Sequence, residues 1–157
     1  MRKSGILLAV SSLPSPYGTG TLGKSAFDFV DFLKKSGQYY WQILPLSPVG
    51  YGNSPYQSFS AFAFNPYLID LDILCEDGLI SKRECEDCFF GNDPKKTDYA
   101  ALWENRPKIL HKAADRFNKN NSDYEKFCNE NDYWLRDYSL FMTVKELLGM
   151  MPLSSFP

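Results

Sequence analysis

Three stretches of this 157-residue chain hold residue types that could do chemistry. The richest is residues 51–72, YGNSPYQSFSAFAFNPYLIDLD, where Tyr51, Tyr56, Phe59, Phe62, Phe64 and Tyr67 alternate with Gly52, Asn53, Ser54, Gln57, Ser58 and Ser60. Aromatic faces can cover the C–H surface of a flat, hydroxyl-rich ligand such as a sugar, while amides and hydroxyls pair with its OH groups. Pro55 and Pro66 stiffen the stretch and Gly52 lets it turn, as suits a binding loop on a rigid scaffold. A compact loop packed by its own aromatic residues satisfies the same composition.

The second stretch is Gly18-Thr-Gly-Thr-Leu-Gly-Lys-Ser25, which fits both G-x-G-x-x-G and the P-loop pattern G-x-x-x-x-G-K-[ST]. Glycine amides ahead of a helix N-terminus would favour phosphate. The context argues otherwise, because residues 11–17, with Pro14 and Pro16, separate this run from the preceding apolar segment. A phosphate loop must leave its strand almost directly. The expected role of the glycines is to let the loop cross the end of the fold before the first helix. The third stretch is Cys85-Glu-Asp-Cys88. Cys75, Cys128 and the lone His111 do not supply a second ligand pair at zinc spacing, so no metal is expected. Reduced thiols of a cytoplasmic protein are the simpler account.

The elements that must position these stretches can be read from periodicity. Residues 5–10 form a short apolar run consistent with a buried strand. After the Pro/Gly-rich loop of residues 11–23, Ser25 and Asp28 suggest a capping box. Ala26, Phe29, Val30 and Leu33 then recur at helical spacing, and Gly37 is a fitting C-cap. Residues 39–44 form a second apolar run without polar alternation, expected to be buried on both faces of a parallel sheet. Strand, helix and strand give a βαβ unit. Beyond Asp72 the pattern is helical. Residues 73–79 and 81–89 read as short helices, residues 91–97 as a polar break, and a longer helix is expected from about Pro107 with Leu110, Ala113, Ala114 and Phe117 on its face. A last helix carries Trp134, Tyr138 and Phe141, a packing face rather than a ligand platform.

Composition limits the function classes. The net charge of −2 and the thin basic segments around Lys95 and Lys108 leave no nucleic-acid footprint. The apolar run of residues 6–10 is too short for a signal peptide, and no stretch approaches a membrane span. Two strands with a helical layer leave a sheet with bare edges. The expected organisation is residues 1–72 as two strands with a long loop, which the resemblance given below makes the first strands of a barrel with a substrate-binding loop, residues 73–149 as a helical insertion, and residues 150–157 as the truncated end of a larger protein's front portion.

Taken together, SSLPSPYGTGTLG, the run YYWQILPLSPVGYGNSPYQSFSAFAFNPYLIDL and the WLRDYSLFM segment at Trp134 resemble the 4-α-glucanotransferases known as amylomaltases or disproportionating enzymes. The resemblance implies an α/β chain, part of a (β/α)8 TIM barrel with helical insertions. It implies transfer of α-1,4-glucan segments between maltodextrins with retention, by a carboxylate nucleophile and an acid/base carboxyl. In that family the catalytic carboxylates lie on later strands, past Pro157, so none is nominated here. It implies that Tyr56 stacks on a glucose unit, with Ser54 and Gln57 as polar companions. Tyr51, faced by Trp103, would belong to a remote glucan site. Its partners would be α-1,4-glucan or maltooligosaccharide and the remainder of the same barrel, in the cytoplasm, with no cofactor, nucleic acid or membrane. The chain departs from the family at Ala9, where histidine is common, and at Thr19 and Thr21. An α-amylase-type hydrolase, a non-catalytic glucan-binding fragment and the nucleotide reading of residues 18–25 are the alternatives.

Overall fold

The computed structural model describes residues 2–50, 52–93, 95–151 and 155. The chain divides into two compact units, residues 1–59 with 64–117, and residues 60–63 with 118–157.

The first unit begins with β1 (Gly5–Leu7), a 3₁₀ turn at Val10–Ser12, α1 (Lys24–Lys35) and β2 (Tyr40–Gln42). The strands are parallel, with Gly5 opposite Tyr40, Ile6 opposite Trp41 and Leu7 opposite Gln42, so the expected βαβ order is present. Gly5 is required by close approach, since a Cβ there would strike the Tyr40 carbonyl. Helix α1 lays Ala26 and Leu33 inward, and Phe29 meets Trp41 edge-on at 5.0 Å between ring centroids. Gly37, at φ 69°, turns the chain out of the helix, and the Gln38 N–H closes onto the Leu33 carbonyl at 2.9 Å.

Several expectations are corrected here. The strands are shorter than the apolar runs, because Val10 leaves the sheet for the 3₁₀ turn and enters a small core with Leu13, Ala26 and Leu68. They are also not buried. Leu7, Tyr39 and Tyr40 are each about 60% exposed, since among the described residues each strand has one neighbour only. The Ser25–Asp28 capping box does not form. Gly23 is the N-cap, Ser25 Oγ donates to the Pro14 carbonyl at 2.7 Å, and Asp28 pairs with Lys24 at 2.5 Å.

After a second 3₁₀ turn at Pro66–Leu68 come α2 (Leu71–Glu76), α3 (Lys82–Glu86) and α4 (Tyr99–Arg116). Asp70 caps α2, accepting from the N–H groups of Asp72 and Ile73 at 3.0 and 3.2 Å. Ser81 and Glu84 form a reciprocal capping box on α3. Helix α4 begins eight residues ahead of the proline expected to open it. Asp98 accepts from the Ala101 N–H and starts the helix, and Pro107 lies inside it. The lost backbone bond is tolerated because Leu102 and Ile109, 0% and 1% exposed, anchor the helix in a core with Tyr17, Leu71, Ile80, Cys85, Phe90 and Ala113. The earlier start turns the buried face toward Leu102 and Ile109, and Ala114 is left exposed.

The second unit is built on α5 (Ser122–Leu147), capped by Asn121, whose side chain accepts from the Asp123 N–H at 2.8 Å. Phe62 stacks on Trp134 at 5.8 Å and meets Tyr133 edge-on at 5.5 Å. The aromatic face of α5 is thus a packing face, as its spacing suggested. At the other end Lys145 Nζ donates to the Met151 carbonyl at 2.8 Å. No helix of the described residues is long and apolar enough to cross a membrane.

Candidate sugar-binding site

The aromatic loop is organised by a short hairpin. Val49 and Ser58 form an antiparallel bridge, Gly50 N–H donates to the Gln57 carbonyl at 3.2 Å, and Asn53 N–H donates to the Gly50 carbonyl at 3.0 Å. The tight reversal needs left-handed backbone at Gly52 (φ 91°) and Asn53 (φ 55°), which these two residue types adopt at low cost. Inside the reversal Ser54 Oγ accepts from the Tyr56 N–H at 3.3 Å, and the Ser54 carbonyl accepts from the Gln57 N–H at 3.1 Å. Backbone bonds therefore fix Ser54, Tyr56 and Gln57 on one turn.

The consequence is an uncovered ring. Tyr56 is 74% exposed and makes no ring contact among the described residues, with the Ser54 hydroxyl and the exposed Gln57 amide beside it in sequence. The neighbouring aromatics are not equivalent to it. Phe59 lies against Gly50, where an added Cβ would meet its ring at 3.2 Å, and Phe62 packs with α5. Tyr51, expected at a remote site, lies outside the described residues. Trp103 stands on α4, 55% exposed, one turn before Arg106. The structure thus gathers Ser54, Tyr56 and Gln57 on one hairpin and puts Trp103 on another element.

The exit of the loop is held firmly. Asn65 N–H donates to the Leu46 carbonyl at 2.7 Å, and its side chain accepts from the Tyr67 N–H at 3.0 Å. Leu22 N–H donates to the Leu68 carbonyl at 3.0 Å. Arg106 Nη2 donates to the carbonyls of Tyr67, at 3.2 Å, and Ile69. Burial pushes the Tyr67 phenol up from its ordinary value, with the Arg106 cation opposing it. Sequence reading missed Arg106, which lies just outside the basic segment at Lys108. The signal was available: Leu102, Arg106, Ile109 and Ala113 lie on one helical face, so an arginine occupies a core position.

The glycine run of residues 18–25 is a packing device. A Cβ on Gly20 would strike the Val10 carbonyl, and one on Gly23 would strike the Asp70 carboxylate. Thr21 Oγ1 donates to that carboxylate at 2.5 Å. An acidic group thus stands at the start of α1, where a phosphate would have to lie. The loop borders a cavity of about 790 Å³, but Asp72, Glu86 and Asp93 alternate there with Lys82, Lys95 and Lys96. An anion would meet carboxylates as often as ammonium groups.

The cysteine motif is likewise absorbed by packing. Cys85 is buried, its Sγ lies 3.6 Å from that of Cys75, and all four cysteines are free. Burial, reinforced by the contact with Cys75, pushes the Cys85 thiol up to about 12. A thiol held protonated in this way is a poor nucleophile and a poor metal ligand at neutral pH.

Comparison with known proteins bears on the family. A family model described as 4-alpha-glucanotransferase matches residues 8–157. The 4-alpha-glucanotransferase of Streptococcus pneumoniae serotype 4 is 47% identical over 158 residues, which cover 99% of this chain and 31% of that protein. That of Clostridium butyricum is 52% identical over 137 residues, covering 87% of this chain and 28% of its own length. Among solved structures, an amylomaltase from Streptococcus agalactiae in complex with acarbose superposes with a TM-score of 0.92 at 42% identity, over 99% of this chain and 32% of the other. The chain spans about a third of the length of the relatives it matches.

Proposed function

The chain belongs to the 4-alpha-glucanotransferase family, and on that premise we propose that it forms the sugar-binding front of an enzyme that moves α-1,4-glucan segments between maltodextrins with retention. In this reading β1, α1 and β2 are the opening βαβ unit of a (β/α)8 barrel, and the helical residues 73–149 are an insertion after the second strand. Loops that follow barrel strands line the face where such sites lie, and the loop carrying Tyr56 follows β2. Tyr56 stacks on a glucose unit next to the scissile bond, and Ser54 and Gln57 hydrogen-bond its hydroxyls. Tyr51 and Trp103 form a second, remote glucan contact.

The exposed ring of Tyr56, held on a hairpin between a hydroxyl and an amide, carries this reading. The carboxylates nearest the loop have other work: Asp70 caps α2 and takes the Thr21 hydroxyl, and Asp72 takes the Tyr17 hydroxyl at 2.5 Å. The family resemblance places the nucleophile and the acid/base on later strands, so this reading takes neither from this chain, and no cofactor enters the scheme. The amylomaltase of similar structure was solved in complex with acarbose, which supports an oligosaccharide-type ligand for this family. Free cysteines suit a reducing cytoplasm.

The test is a titration with maltoheptaose. Tyr56→Ala should weaken binding about 10-fold, the scale of one lost aromatic stacking face, while Tyr56→Phe should bind like the parent. Equal affinity for Tyr56→Ala would refute the assignment. For the protein expressed from its own gene, transfer predicts that maltotriose gives glucose and longer glucans without a rise in reducing ends. Hydrolysis would raise them.

A further inference from the structure

Arg106 is 0% exposed, and the proposed reading gives it no task. Its Nε and Nη1 are buried without a hydrogen-bond partner among the described residues. Its Nη2 alone works, on the carbonyls of Tyr67 and Ile69. The Phe90 ring lies 5.7 Å from the guanidinium carbon, and Asp70 favours the cation through space. Burial draws the guanidinium down to about 10, so it remains charged at neutral pH. Burying a charge with idle N–H groups is costly, and an apolar side chain of similar length would fill the space with less penalty. What an apolar side chain could not do is hold two backbone carbonyls at once.

Both carbonyls belong to the segment by which the chain leaves the aromatic loop. The same segment takes the Leu22 N–H on Leu68 and gives the Asn65 N–H to Leu46. Arg106 supplies the tie from α4, one turn beyond Trp103 on that helix. We infer that Arg106 is a positioning residue for glucan recognition: by holding the Tyr67 and Ile69 carbonyls it fixes the loop that presents Tyr56 to the helix that presents Trp103. This rests on the proposal that the loop binds glucan, and it adds the group that keeps the two contacts in register.

The experiment uses the whole chain with Arg106→Met, close in volume and uncharged, and Arg106→Lys. Maltoheptaose titration is paired with hydrogen exchange read over residues 60–70. The Met variant should bind about 10-fold more weakly, the scale of a lost charge-assisted bond. Its exchange should quicken over residues 64–69 while α1 keeps its protection. Lysine can still donate to one carbonyl at a time, so Arg106→Lys should recover affinity to within about threefold of the parent. Two results would overturn the inference: unchanged affinity and exchange in Arg106→Met, or protection lost evenly through α1 and α4. If Arg106→Met fails to fold, Arg106→Lys decides, and parental exchange over residues 64–69 in that variant counts against the tie. A parent chain that does not bind maltoheptaose sinks the glucan reading instead, and the exchange arm still shows whether Arg106 fixes the loop.

Discussion

Replacing Gly20 with alanine asks whether the glycine-rich first loop is packed or free to receive a ligand. The added methyl would overlap the Val10 carbonyl and lie 2.8 Å from both the nitrogen and the carbonyl oxygen of Leu13. All three are backbone atoms in or beside the 3₁₀ turn, and none can swing aside as a side chain would. On its other side Gly20 donates its N–H to the Ser11 carbonyl at 3.0 Å. Forcing a methyl into a rigid site costs about 1–3 kcal/mol. If the loop lifts to make room, the bond to Ser11 goes too, worth about 1 kcal/mol. A loss of about 2–4 kcal/mol follows. With a urea slope of about 2 kcal/mol per molar, the unfolding midpoint should drop by about 1–2 M with the slope unchanged. Lys24→Ala is the companion variant. Its side chain is 85% exposed and, among the described residues, pairs only with Asp28 four residues on, so it should shift the midpoint hardly at all. Circular dichroism in a urea series measures both. A Gly20→Ala protein with the parent's midpoint would refute the packing argument and return residues 18–25 to consideration as a ligand loop.

Two further expectations concern pH. Because the Cys85 thiol is pushed up to about 12 from an ordinary value of 9.0, the native state keeps a proton that the unfolded chain releases. Stability should be intact below pH 9 and decline as pH rises toward the folded value. The Tyr17 hydroxyl, held protonated by burial and by Asp72, acts in the same direction. Thermal unfolding of Cys85→Ala should show a shallower decline above about pH 9, and a slope equal to the parent's would count against this. Glu84 behaves oppositely. Arg116 grips its carboxylate with two N–H groups at 2.8 and 2.9 Å, and the Ser81 N–H adds a third bond, holding it well below the usual carboxylate range of about 4.5. Its contribution is complete above that range and is lost progressively as pH falls toward the much lower folded value, so the gap in melting temperature between Glu84→Gln and the parent should begin to narrow below about pH 4.5 and keep narrowing as pH falls further. A gap that stays constant would show that the loss is one of packing.

What the sequence made legible was periodic or typed. Ala26, Phe29 and Leu33 announced α1, and the apolar runs on either side of it announced the parallel pair. What it hid were choices settled by tertiary contact. Pro107 reads locally as a helix start, but burial of Leu102 and Ile109 outweighs one missing backbone bond, and Asp98 takes the cap. Ser25 and Asp28 match a capping box, yet each finds a nearer partner in Pro14 and Lys24. Arg106 was hidden because charge is expected at the surface, and only its register among Leu102, Ile109 and Ala113 betrays it.

The same contrast applies inside the aromatic loop, where composition suggested a binding surface and geometry divides the labour. Phe62 is spent on Trp134 and Tyr133, and Phe59 on the hairpin at Gly50. Tyr67 lies half-buried where the chain leaves the loop, its carbonyl taken by Arg106. Among these, Tyr56 has its faces open to solvent, and its backbone is the one held by the neighbouring Ser54 hydroxyl. A loop of this composition therefore supplies few ligand contacts and many supports. Substituting the supports should loosen every contact a little, whereas substituting Tyr56 should remove one contact and leave the fold as it was.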